Sequence, residues 1–135
     1  MDGIAALCDC IRETAYAIHV YLGPGHFESV YERALIHRLR KLNLEVDSQV
    51  RLEVFDEDGT RIGECVADLL VQRSLIVELK AAKQLVPDHT AQVLGYLRAS
   101  RHQHALLLNF GAAAFQIRKF TCRPIQAGEV SAPQV

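Results

Sequence analysis

The sequence predicts a mixed α/β (α+β) layer sandwich with the element order ααβββαββ and a mixed central β-sheet flanked by helices. Three observations carry this. Two amphipathic runs open the chain, three alternating apolar runs joined by short turns follow, and a further helical run precedes two more apolar strands. In the first helix, residues 3 to 22, Leu7, Cys8, Ile11, Ala15, Ile18 and Leu22 recur at three- and four-residue spacing. Gly23-Pro24-Gly25 ends it, because glycine caps a helix and proline cannot continue one. The second helix, 27 to 43, lines up Glu28, Tyr31, Leu35, Leu39 and Leu42 on one side and is expected to stop at Asn43. Strands are expected from Gln49 to Phe55, Arg61 to Val71 and Ser74 to Ala81, with turns at Asp58-Gly59 and Gln72-Arg73. Pro87 marks a boundary, Asp88 is the expected cap of a helix running to Ser100, and Ala105–Phe110 and Ala114–Phe120 read as the closing strands. Residues 1–122 are expected to form one domain and 123–135, with Pro124, Gly128 and Pro133, a loose C-terminal tail.

Composition narrows the function. The 135 residues are 50% hydrophobic and 23% charged, which suits one globular core. A formal net charge of −1 excludes a strongly basic nucleic-acid coat but leaves room for a local basic groove. Cys8, Cys10, Cys65 and Cys122 lack metal-ligand spacing and read as reduced, mostly buried thiols of a cytoplasmic protein. Asp2, Asp9, Arg12 and Glu13 break up the N-terminal apolar residues, against a signal peptide, and no apolar run approaches the ~20 residues that span a bilayer, so no membrane partner is expected.

The most informative stretch is Ile76-Val77-Glu78-Leu79-Lys80, with Asp68 ten residues before Glu78. Strand alternation puts Glu78 and Lys80 on one face of a segment apolar enough to lie inside a sheet, where burying either charge is costly. If the strands on either side of Gln72-Arg73 pair antiparallel, Asp68 and Glu78 approach each other, and two carboxylates repel unless a cation joins them. Hard divalent cations take one or two carboxylates plus water and phosphate oxygens. Lys80 could then orient a water or neutralise growing charge. The same three residues also read as a buried Lys–carboxylate pair without catalysis.

Glu28 falls on the apolar stripe of its helix. It reads either as a first-turn acid favoured by the helix dipole or as a carboxylate aimed inward at a site. Gln92 and Tyr96, four apart, share a face of the third helix and could hydrogen-bond to phosphate. Arg33, His37 and Arg40 form a polar face that water or a phosphate backbone could occupy.

Asp68 followed by Glu78-Leu79-Lys80 resembles the signature of the PD-(D/E)XK nuclease superfamily. Gln92 to Tyr96 is similar to the QxxxY motif of its helicase-associated exonuclease branch. Gly25-His26-Phe27-Glu28-Ser29-Val30-Tyr31 resembles the motif that names the GxxExxY family, a small-protein branch of that superfamily. Leu22-Gly23-Pro24-Gly25 and Asn109-Phe110-Gly111 resemble it too. The likeness covers residues 10 to 120 and departs at Ala67, where the superfamily label has proline.

The resemblance implies a restriction-endonuclease-like core. It implies that Asp68 and Glu78, with the Leu79 carbonyl, ligate Mg²⁺ or Mn²⁺ and that Lys80 positions the water. Glu28 would support the metal, and Gln92 and Tyr96 would contact Lys80 or the phosphate. The implied activity is metal-dependent hydrolysis of nucleic-acid phosphodiesters, with DNA ahead of RNA. A non-cleaving nucleic-acid-binding or regulatory module within a larger complex is the alternative. A homodimer would supply the two sites needed to cut both strands.

Overall fold

The computed structural model describes residues 3–122 and 133–134. The elements are α1 (Gly3–Leu22), α2 (Glu28–Lys41), β1 (Val46–Phe55), β2 (Arg61–Val71), β3 (Leu75–Lys80), α3 (Pro87–Ser100), β4 (His104–Asn109), β5 (Gln116–Cys122) and the two-residue β6 (Pro133–Gln134). They form one mixed sheet in the order β1-β2-β3-β4-β5-β6. All neighbours run antiparallel except β3 and β4, which are parallel and joined by α3 as the crossover. The predicted order of the first eight elements and the mixed, helix-flanked sheet are therefore found. Apart from β6, the expected loose tail lies outside the described residues.

The sheet is covered on both faces. On one face α1 and α2 pack Ile11, Ile18, Tyr31, Leu35 and Leu39 against Leu69, Val77, Leu79, Leu106 and Leu108. On the other α3 packs Val93 and Leu97 against Leu52, Ala67, Ile76, Leu107 and Phe120. The central strands β3 and β4 are thus buried on both faces and read as continuous apolar runs, as parallel strands do. Among the described residues no helix is long and apolar enough to cross a membrane.

Local chemistry explains the turns. Asn43 takes a left-handed φ of 64° after α2, and its N–H and that of Leu44 bond back to Arg40 and Leu39. Gly59 closes the β1–β2 hairpin at φ 88° while the Asp58 carboxylate accepts the Thr60 N–H. Gln72 and Arg73, both left-handed, make the tight β2–β3 turn; the Gln72 N–H donates to the Glu45 carbonyl, the Gln72 Oε1 accepts the Glu45 N–H, and Arg73 pairs with the Glu45 carboxylate.

Three expectations need correcting. β1 begins at Val46 rather than Gln49, since Val46 to Ser48 already pair with Val71 to Leu69. The cap of α3 is Val86, whose N–H donates to His89 Nδ1 at 3.2 Å; Pro87 opens the helix and Asp88 lies inside its first turn. Glu28 does not face the core. It is the first residue of α2 and is exposed, because only the middle of that stripe, Tyr31 to Leu39, is pressed onto the sheet. Leu42, at the other end, is exposed for the same reason.

Candidate active site at the fork of two strands

β2 and β3 pair only from Leu69–Val77 to Val71–Leu75 and then part. Asp68 and Glu78 stand at the point of separation. Each carboxylate takes a backbone donor of the opposite strand: the Asp68 N–H donates to Glu78 Oε1 at 2.7 Å, and the Leu79 N–H donates to Asp68 Oδ2 at 2.9 Å. The two side chains thus replace ladder bonds that the diverging backbones no longer make, which removes the cost of unpaired N–H groups near the core.

The pleat changes phase at the same place. Val46, Leu69 and Val71 lie in the core under α1 and α2, whereas Val50, Leu52 and Ala67 lie in the core under α3. Strict alternation would keep Val46, Val50 and Leu52 of β1 on one face, and Ala67, Leu69 and Val71 of β2 on one face. The inversion falls at Gln49 and Asp68, between the partnered residues Ser48–Leu69 and Val50–Ala67, and Gln49 takes a left-handed φ of 52°. A non-glycine residue held there costs on the order of 1 kcal/mol and recurs at functional sites. The Gln49 side chain donates to Glu32 Oε1 at 2.8 Å, tying β1 to α2 beside the fork.

Electrostatics follow from this crowding. Glu78 is 3% exposed, and burial, then the Asp68 charge, push its carboxyl up to about 8, although Lys80 and the Asp68 N–H oppose the shift. Glu32 is raised by burial, and Asp68 and Glu28 add to this. On the α3 side, burial and the charges of Glu78, Cys65 and Asp68 push the Tyr96 phenol up to about 12. Its oxygen accepts a hydrogen bond from Gln92 Nε2 at 2.9 Å. Asp68, Glu78 and Tyr96 are therefore within electrostatic reach of one another, with Glu32 and Glu28 on the α2 side.

Lys80 is half-buried one pleat beyond Glu78 and shares its face. The chain after it is pinned. The Phe110 N–H donates to the Lys80 carbonyl at 2.9 Å, and the fully buried Asn109 side chain accepts from the Ala82 and Gly111 N–H groups while donating to the Ala82 carbonyl and Gln116 Oε1. Gly111 passes so close that a Cβ there would lie 2.4 Å from the backbone of Ala81 and Ala82. Asn109 and Gly111 thus hold Lys80 in place.

Glu28 is placed by its own loop. Tyr31 stacks on Phe110 at 4.7 Å between centroids; its hydroxyl donates to the Gly23 carbonyl at 2.6 Å and accepts the His26 N–H at 3.2 Å. With Gly25 at φ 111°, this fixes the turn from which Glu28 starts the helix.

The structure brings Asp68, Glu78, Lys80 and Tyr96 to one place, with Gln92 on Tyr96. It puts Glu28 at the rim. Sequence reasoning missed Glu32 and Gln49. Glu32 lies four residues after Glu28 and so on the same side of the helix, a spacing that could have flagged it.

The donor set suits a hard divalent cation. It consists of oxygens, and the carboxylates disfavour one another's ionisation, a repulsion that a cation relieves. Among the described residues no group of three or more acidic, histidine or cysteine side chains is placed to hold a metal ion. A magnesium-like ion does not require one, since it keeps several waters and uses one or two carboxylates.

A sequence profile of the PD-(D/E)XK nuclease superfamily matches residues 5–120 of this chain. No curated protein matches it. Among solved structures it is similar to the one titled "Crystal structure of SSO0001", at 16% identity and a TM-score of 0.54, over 73% of this chain and 50% of that one. This chain thus spans about half of that structure's length, and at this identity the likeness concerns the fold.

Proposed function

We propose that this chain, which belongs to the PD-(D/E)XK nuclease superfamily, is a Mg²⁺- or Mn²⁺-dependent nuclease of the GxxExxY branch that hydrolyses DNA phosphodiester bonds. The observation that carries the reading is the crossed pairing of Asp68 and Glu78 at the β2–β3 fork, with Lys80 one pleat away. A buried acid pushed up to about 8 beside a second carboxylate is an expensive arrangement for a merely structural pair.

In this reading Asp68, Glu78 and the Leu79 carbonyl hold the cation, and Glu28 and Glu32 add negative charge from the rim. A cation held there would supply Lewis-acid polarisation of the phosphoryl group and would offset charge on the leaving oxygen. Lys80 orients the attacking water and neutralises charge on the phosphate. Gln92 and Tyr96 position a phosphate oxygen by hydrogen bonds from the α3 side. The water gives up a proton as its oxygen bonds to phosphorus, the P–O bond to the sugar breaks, and the leaving sugar oxygen takes up a proton from solvent, so that one proton is lost and one gained. The GxxExxY assignment is supported by the roles of Gly25 and Tyr31 in setting the start of α2. A homodimer in the cytoplasm fits a single-site enzyme cutting both strands.

The test is cleavage of linear, circular and single-stranded DNA with Mg²⁺, Mn²⁺ or EDTA. Cleavage is expected with either metal and not with EDTA, and Lys80→Ala is expected to lower its rate at least ~100-fold. Intact DNA under all conditions refutes the enzyme; equal cleavage by Lys80→Ala refutes the role of Lys80.

A further inference from the structure

We infer that the outer face of α2, from Arg33 to Lys41, is a track for the phosphate backbone of duplex DNA that leads away from the site. The inference rests on the nuclease reading and adds the surface on which the substrate lies. Helix α2 is divided by charge. Its acids, Glu28 and Glu32, are in its first half, while Arg33, His37, Arg38, Arg40 and Lys41 follow without an intervening acid. Arg33, His37 and Lys41 recur every four residues and are exposed, so they form one stripe. The adjoining stripe carries Glu28, Glu32, Ile36 and Arg40, and Arg33, Ile36, His37, Arg40 and Lys41 line a shallow groove between the two.

The occupant follows from charge. The ion pairs among the described residues join Arg12 to Asp9, Arg61 to Glu53 and Glu64, and Arg73 to Glu45, and use none of these cations. Arg40 is partly spent, since its Nη2 donates to the Val46 carbonyl at 2.7 Å. Complementing the helix dipole accounts for Arg38, Arg40 and Lys41 in the last turn but not for Arg33 and His37, which lie further in. A protein of net charge −1 that keeps an acid-free basic stripe on one helix is matched to a local polyanion. At 1.5 Å per residue the stripe is about 12 Å long. One strand of duplex DNA presents a phosphate every ~3.4 Å of axis, so the stripe spans about three. It begins one residue past Glu32, which Gln49 ties to β1 beside the fork, so the inferred track starts at the end of α2 nearest the site.

The experiment compares wild type, Arg33→Ala/Lys41→Ala and a control, Arg12→Ala/Lys119→Ala, whose two cations share a different groove. Binding to a fluorescent DNA duplex is measured by anisotropy in EDTA from 50 to 200 mM salt, and cleavage separately in Mn²⁺. The α2 variant is expected to lose about two units of the log Kd–log salt slope, and the control almost none. Unchanged melting temperatures show that folding is intact. A wild type that binds and cuts DNA while the α2 variant keeps its slope, or loses no more than the control, overturns the track and leaves the nuclease standing. A wild type that neither binds nor cuts overturns both.

Discussion

The two edges of β3 are built differently. Toward β4 it pairs without interruption from Leu75–His104 to Lys80–Asn109, in parallel and buried on both faces. Toward β2 it pairs for three residues and then opens. On the first edge backbone meets backbone, and side chains are free to be apolar. On the second, the carboxylates of Asp68 and Glu78 take the backbone donors. The closed edge holds the sheet together. The open edge admits carboxyl groups, because their oxygens replace the missing ladder bonds.

Breaking each edge should therefore damage a different property. The closed edge carries stability: Leu108→Ala, at a fully buried position, is expected to cost about 2–5 kcal/mol by chemical denaturation. A loss under 1 kcal/mol would mean that the β3–β4 layer is not the central packing element. Gly111→Ala tests where the two edges meet, since its Cβ would collide with the backbone just after Lys80. It is expected to cost about 1–3 kcal/mol and to slow cleavage, and wild-type stability with wild-type rates would show that Lys80 is not held from there.

The open edge carries a pH dependence. Glu78 has an ordinary carboxyl value of 4.5 when unfolded and about 8 in the fold. Between those values the native state binds more protons than the unfolded chain, so stability falls as pH rises. Glu78→Gln keeps an acceptor for the Asp68 N–H and removes the charge. In EDTA at pH 9 it is expected to be more stable than wild type by on the order of 2 kcal/mol, with the advantage vanishing near pH 4. Thermal melts across that range check this, and parallel curves for the two proteins would rule out a strained carboxylate.

Most of the fold was legible because its signals are local. Helix stripes, the Gly-Pro-Gly break, Asp58-Gly59 and the apolar runs of β3 and β4 each depend on residues near in sequence. The site was legible in its main charges for the same reason, as charged residues in an apolar strand stand out alone. What escaped depends on partners. The pleat inversion at Gln49 and Asp68 belongs to a pair of strands, and Val46 to Ser48 look too polar for a strand until Val71 to Leu69 supply the ladder. Glu28 was misjudged because helical periodicity gives a side of the helix but not where along it the packing begins. Glu32 was missed because its spacing from Glu28 gives only a side of the helix, and its closeness to the fork shows through Gln49 and Asp68.

The most direct test is calorimetric titration of Mn²⁺ alone into wild type and Asp68→Asn at pH 7, in buffers of different ionisation enthalpy. A cation held by Asp68 and Glu78 must displace the proton that Glu78 keeps up to about 8. Saturable binding with release of close to one proton is expected for wild type, and its loss for Asp68→Asn. Binding without proton release, equal binding by Asp68→Asn, or no saturable binding would contradict a metal site at the strand fork.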